Sequence, residues 1–191
     1  MKRIAWMFLA AANVTGCAPH PTTHVATGEA APEQGGLVPS LAATIAAMPK
    51  NLPRAKSPGL DEAIAAARAA VRFCDSKGAK VSVLIADAAG QPVVLLSGDG
   101  AGVRSALIAR TKVAIVARYR LPSSEVEQRA KGEPMLAAEA AADPGIGLLR
   151  GGGLPIWRGG ELIGALAVSG ASLTGPMTLD EDCAKVALEM L

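Results

Sequence analysis

The chain has 191 residues, of which 50% are hydrophobic, 19% charged and only 3% aromatic, with a formal net charge of +2. That length carries one compact domain with its own core and is short for two. So few aromatics mean a core of Ala, Val, Leu and Ile, and the near-neutral charge excludes the basic footprint of a nucleic-acid binder.

At the N-terminus, Lys2 and Arg3 precede the apolar run from Ile4 to Ala12, and Val14-Thr15-Gly16-Cys17 follows. This is the layout of an export signal, with an apolar run too short to span a bilayer. Small residues before a cysteine resemble the lipobox of bacterial lipoproteins. That resemblance implies a signal over residues 1–16, acylation of Cys17 and a lipid anchor in the membrane of the cell envelope. Ala18 in place of an aspartate fits sorting to the periplasmic face of the outer membrane. Cleavage at another small-residue site would instead leave a secreted, soluble protein. Of the 19 basic and 17 acidic residues, loss of Lys2 and Arg3 leaves the charges balanced.

Residues 17–56 are rich in Pro, Thr, Ala and Gly and read as a flexible tether, with a short helix possible over Leu37 to Met48. His20 and His24 lie within it, four apart, a spacing that suits a metal only on a helix. Pro19 and Pro21 oppose that helix, and surface histidines are the simpler reading.

The folded domain is expected over residues 57–191. Ser57-Pro58 has the form of a helix start, and Leu60, Ile64, Ala67, Val71 and Cys74 form an apolar stripe that Gly78 ends. Alternation in KVSVLIAD, a turn at Asp87 to Gly90 and the run QPVVLLSG predict a β-hairpin. A basic helix is expected from Val103 to Arg120. Ser123 or Ser124 can cap a short helix, and Pro134 and Pro144 bracket another. Gly147 to Pro155 reads as loop and strand. Leu154 to Trp157 and Glu161 to Val168 form a second hairpin around Gly159-Gly160, with Gly164 marking a close approach of other backbone or of a ligand. Thr178 and Glu181 have capping-box spacing, and Cys183, Val186, Ala187 and Met190 form a last apolar stripe. Hairpins with helices at both ends predict an α+β domain with an antiparallel sheet.

The triple glycine Gly151 to Gly153 leads into a strand, so it is not a phosphate loop. The domain has no histidine, which removes Ser-His and Cys-His hydrolytic pairs. Asp180, Glu181 and Asp182 read as carboxylates favoured by a helix dipole, not as a metal site. Cys74 and Cys183 can form a disulfide if their helices pack side by side, or remain two buried thiols.

Three stretches, SVLIADAAGQPVVLLSGDGAG, ARTKVAIVARY and GGGLPIWRGGELIGALAVSGAS, resemble the GlcG/HbpS family of extracellular haem-binding, or haem-degrading-type, domains, over Leu60 to Leu191. The resemblance implies a profilin-like α-β-α domain that forms homo-oligomers and binds haem or a related tetrapyrrole, and in some members iron. Lys112 matches the family's central-helix lysine and Asp99-Gly100 its strand-end pair, while Ser123 and Ser124 stand where relatives carry Thr or Ser. Arg104, Lys112 and Arg118 are candidate partners for haem propionates. Gly152 and Gly153 are candidates for contact through backbone. Haem iron is held by His, Cys, Met or Tyr, which leaves Tyr119 and Met135 as candidate donors, although both also read as packing residues. With Phe73, Tyr119 and Trp157 as its aromatics, the domain suits shallow or interface binding better than a deep pocket.

The reading is therefore an extracytoplasmic haem-binding or haem-sensing module, more a binder than an enzyme. An oligomeric interaction module of the envelope and an accessory enzyme on a small organic acid stand as alternatives.

Overall fold

The computed structural model describes residues 41–48, 55–173 and 178–191. The signal and lipobox with Cys17, and His20 and His24, lie outside the described residues. The chain divides into two units, residues 1–50 and 51–191. Within the first, the expected short helix is observed as α1, Leu41–Ala47.

The second unit runs α2 (Leu60–Ser76), β1 (Ser82–Asp87), β2 (Pro92–Ser97), α3 (Ser105–Tyr119), α4 (Ser123–Gly132) and α5 (Pro134–Ala142). It continues through β3 (Gly153–Arg158), β4 (Glu161–Ser169), a 3-10 turn (Ala171–Leu173) and α6 (Leu179–Leu188). The four strands form one antiparallel sheet in the order β2-β1-β4-β3. Both expected hairpins are present, and β1 joins them by pairing Ser82 to Ser169 through Asp87 to Gly164.

Alternate strand residues face opposite layers. Val83, Ile85, Leu166 and Val168 point with Leu154 and Ile156 into a core under α2 and α6. Leu84, Ala86, Ala165 and Ala167 face α3 through Ala109, Val113 and Val116. A third cluster of Ile115, Val126, Ala140 and Ile146 packs α4 and α5 against the far side of α3. The result is helices on both faces of an antiparallel sheet, as expected.

Local details depart from the sequence reading. α2 starts at Leu60 with Gly59 as N-cap, not at Ser57-Pro58, and the Glu62 carboxylate accepts the Gly59 N–H at 3.3 Å. Its buried stripe is Ala63, Ala66, Ala67, Ala70 and Cys74, whereas Leu60 is 57% exposed. Small methyl faces let α2 lie close against sheet and α6, so the alanines outcompete the larger side chains. Thr178 makes no side-chain cap to α6, and neither Ser123 nor Ser124 caps α4, whose N-cap is Pro122. The open question about the cysteines is answered by a Cys74–Cys183 disulfide across α2 and α6. At Gly164 a Cβ would run into the Ala86 carbonyl, so its bare backbone serves the neighbouring strand.

Candidate functional site

A cleft of about 820 Å³ opens at the end of the sheet where β4 finishes and β3 begins. α3 and the residues just before it supply Val103, Arg104, Ile108 and Lys112; α4 supplies Ser124, Glu127, Gln128 and Lys131. Leu148, Arg150 and Gly151 come from the α5–β3 connection. Ser169, Gly170, Ser172, Thr178, Asp180 and Glu181 come from the end of β4 and the start of α6. Three helices, α3, α4 and α6, present their first turns here, which favours anionic groups.

The floor is a buried ion pair. Lys112 is 2% exposed and Asp180 4%. The Lys112 ammonium donates to Asp180 Oδ2 at 2.8 Å and to the Val168 carbonyl at 2.7 Å, while Asp180 Oδ1 accepts the Ala171 N–H at 2.8 Å. Burial pulls the lysine below its ordinary pKa, and the Asp180 carboxylate, through charge and hydrogen bond, works against that pull. The pair thus ties α3, β4 and α6 together at one point.

The triple glycine explains how the pair fits. Gly152 has φ +106°, and a Cβ there would lie 2.7 Å from Asp180 Cβ and 2.8 Å from Lys112 Nζ. Gly153 donates its N–H to Ser123 Oγ at 2.8 Å, beneath the Lys112 backbone. Glu127 accepts the Gly151 N–H at 2.9 Å and faces Arg150 at 3.5 Å. Gly152 and Gly153 are therefore packing positions, and only Gly151 borders the cleft.

Of the residues expected from sequence, Arg104, Lys112 and Ser124 meet at this cleft. Ser123 is buried and occupied by Gly153. Arg118 stands elsewhere, paired with Glu139 and Asp143. Tyr119 packs against the cluster under α4 and α5, with its hydroxyl buried and lacking a partner among the described residues. Met135 is 83% exposed on α5, outside the cleft. Sequence reasoning missed Asp180 as a partner, and missed Lys131 and Arg150. Asp180 did carry a signal: it lies three, four and seven residues before Cys183, Ala184 and Ala187, on the buried stripe of α6.

Arg104 and Lys131 form no ion pair among the described residues, whereas Arg150 and Lys112 have carboxylate partners. With Val103, Ile108 and Leu148 beside them, the arrangement can hold a flat apolar body carrying carboxylates. It contains no nucleophile with an adjacent base, and no group of three His, Cys, Asp or Glu gathers to hold a metal among the described residues. The fit to haem is thus divided: walls and unpaired cations suit ring and propionates, but among the described residues no His, Cys, Met or Tyr lines the cleft to ligate iron.

Comparison with known proteins bears on the same domain. Residues 59–189 match the family model described as haem degrading protein HbpS-like. The crystal structure of HbpS is 32% identical, covers 76% of this chain and 97% of its own, and superposes with a TM-score of 0.63. A PduOC:haem complex is 26% identical over 71% of this chain and 95% of its own, with a TM-score of 0.62. Klebsiella pneumoniae protein ORFY, at 23% identity, covers 75% and 95% with a TM-score of 0.64 and shares the fold. No curated protein matches. On the family model and the HbpS structure together, the chain belongs to the haem degrading protein HbpS-like family.

Proposed function

We propose that the cleft at the sheet end binds haem or a related tetrapyrrole, and that the domain is a binding or sensing module, not a catalyst. The observation that carries this is the pair of cations without ion partners among the described residues, Arg104 and Lys131, on a cleft of about 820 Å³ with Val103, Ile108 and Leu148 in its wall. Family membership and the haem-bound PduOC relative support the choice of ligand.

Ligand enters against the first turn of α3, with its carboxylates on Arg104 and Lys131 and its ring on the apolar residues. The Lys112–Asp180 pair holds the cleft floor in place. Haem would supply redox or light-absorbing chemistry; the chain's residues bind and orient it. The signal and Cys17 fit delivery to the cell envelope by a lipid anchor, with assembly of several copies as in the reading from sequence.

The test is absorbance titration with hemin of residues 18–191 carrying His20→Ala and His24→Ala, so that tether histidines cannot ligate iron. Saturable binding with a shifted Soret band is expected. Absence of any saturable change removes this reading, and a stable ligand-free oligomer in light scattering would then favour the interaction module.

A further inference from the structure

Among the described residues, those that can ligate iron and those that can grip carboxylates lie in different parts of the domain. The domain has no histidine. Cys74 and Cys183 are consumed by their disulfide between α2 and α6. The single tyrosine, Tyr119, is packed under α4 and α5, and Met135 and Met190 are away from the cleft. Lys112, the remaining nitrogen near the floor, has its ammonium engaged by Asp180 and the Val168 carbonyl, and a protonated amine has no lone pair to give. Met177 lies outside the described residues. Against this, Arg104 and Lys131 have no side-chain partner among the described residues, one at the start of α3 and the other near the end of α4.

Resting on the tetrapyrrole reading above, we propose that the cleft recognises the ring by its carboxylates and its apolar face and not by its metal, so that metal-free and metallated porphyrins are equivalent ligands. A charge-assisted pair of propionates held by a guanidinium and an ammonium fixes orientation without any bond at the ring centre. The centre of the ring is left to solvent or to whatever small molecule it already carries. Such a site takes up the porphyrin skeleton as a dicarboxylic acid, and its selectivity lies at the ring's acidic edge.

The proposal is tested with four probes on the same protein (residues 18–191, His20→Ala, His24→Ala): hemin, zinc protoporphyrin, metal-free protoporphyrin and its dimethyl ester. Expected are affinities for the first three within about threefold of one another and a loss of at least about tenfold for the ester. Bound hemin should keep a high-spin spectrum without the low-spin bands of strong protein ligation. Arg104→Gln with Lys131→Gln should weaken the three acids by about tenfold or more and leave the ester unchanged. Hemin binding more than about tenfold tighter than the metal-free ring, or an ester that binds as well as the acid, overturns this proposal while the tetrapyrrole reading stands. Failure of all four probes removes both.

Discussion

The two faces of the sheet are built from the same strands and do different work. Under α2 and α6, the inward residues of β1, β3 and β4 meet an alanine-rich helix surface, and the Cys74–Cys183 disulfide closes the layer. On the other face α3 covers the sheet through a smaller cluster of Leu84, Ala86, Ala165 and Ala167 with Ala109, Val113 and Val116. At the end of that face packing gives way to a buried ion pair and a cleft. The difference shows what each part offers: the closed face is filled by packed small side chains and a disulfide, and the open end presents charge and space.

The comparison breaks most sharply at the ion pair. Asp180→Asn leaves the Lys112 ammonium buried without its counter-charge and should cost about 3–5 kcal/mol in urea unfolding, while Lys112→Met with Asp180→Asn should recover most of it. Equal loss in the single and double variants would show that the pair's charge is irrelevant.

On the closed face, Cys74 and Cys183 are 109 residues apart, and chain-entropy arguments give such a cross-link about 4–5 kcal/mol, with measured values commonly about 2–5. Reduction should therefore lower the melting temperature markedly, and it should disturb the cleft only through α6. Gly164→Val, which drives a side chain at the Ala86 carbonyl between β4 and β1, should cost about 1–3 kcal/mol. Wild-type melting would contradict that reading of Gly164.

A smaller effect follows from titration. Because burial lowers the Lys112 pKa in the folded state, the unfolded chain binds more protons between that lowered value and the ordinary lysine value of 10.5. Stability attributable to Lys112 should then rise with pH through that window, and Lys112→Met should lack the rise. Comparing the pH dependence of urea midpoints in the two proteins checks the sign.

The sequence made the hairpins readable because period-two alternation and the Asp87–Gly90 and Gly159–Gly160 turns are local signals. Flanking prolines made α5 readable for the same reason. What stayed hidden depends on distance along the chain. The partner of Lys112 lies 68 residues away, and a helix dipole accounts locally for a carboxylate at Asp180 without naming that partner. Whether Cys74 and Cys183 meet depends on which helices lie side by side, and no spacing states that. Charge alone groups Arg118 with Lys112, yet six residues advance a helix by about 240°, which turns it toward Glu139 and Asp143. Lys131 and Arg150 look like ordinary surface charges until the cleft shows which of them lacks a partner.

Removing Arg104 and Lys131, which have no ion partner among the described residues, separates the faces most cleanly. Arg104→Ala with Lys131→Ala should leave stability within about 0.5 kcal/mol, because neither side chain supports the fold. The measurement that bears most directly on the cleft as a tetrapyrrole site is hemin affinity in this double variant against the parent, at low and at high salt. Expected is saturable binding to the parent that weakens with salt, and a loss of about tenfold or more in the variant. Equal affinity in both proteins, with the same salt dependence, would contradict the placement of the ligand at Arg104 and Lys131.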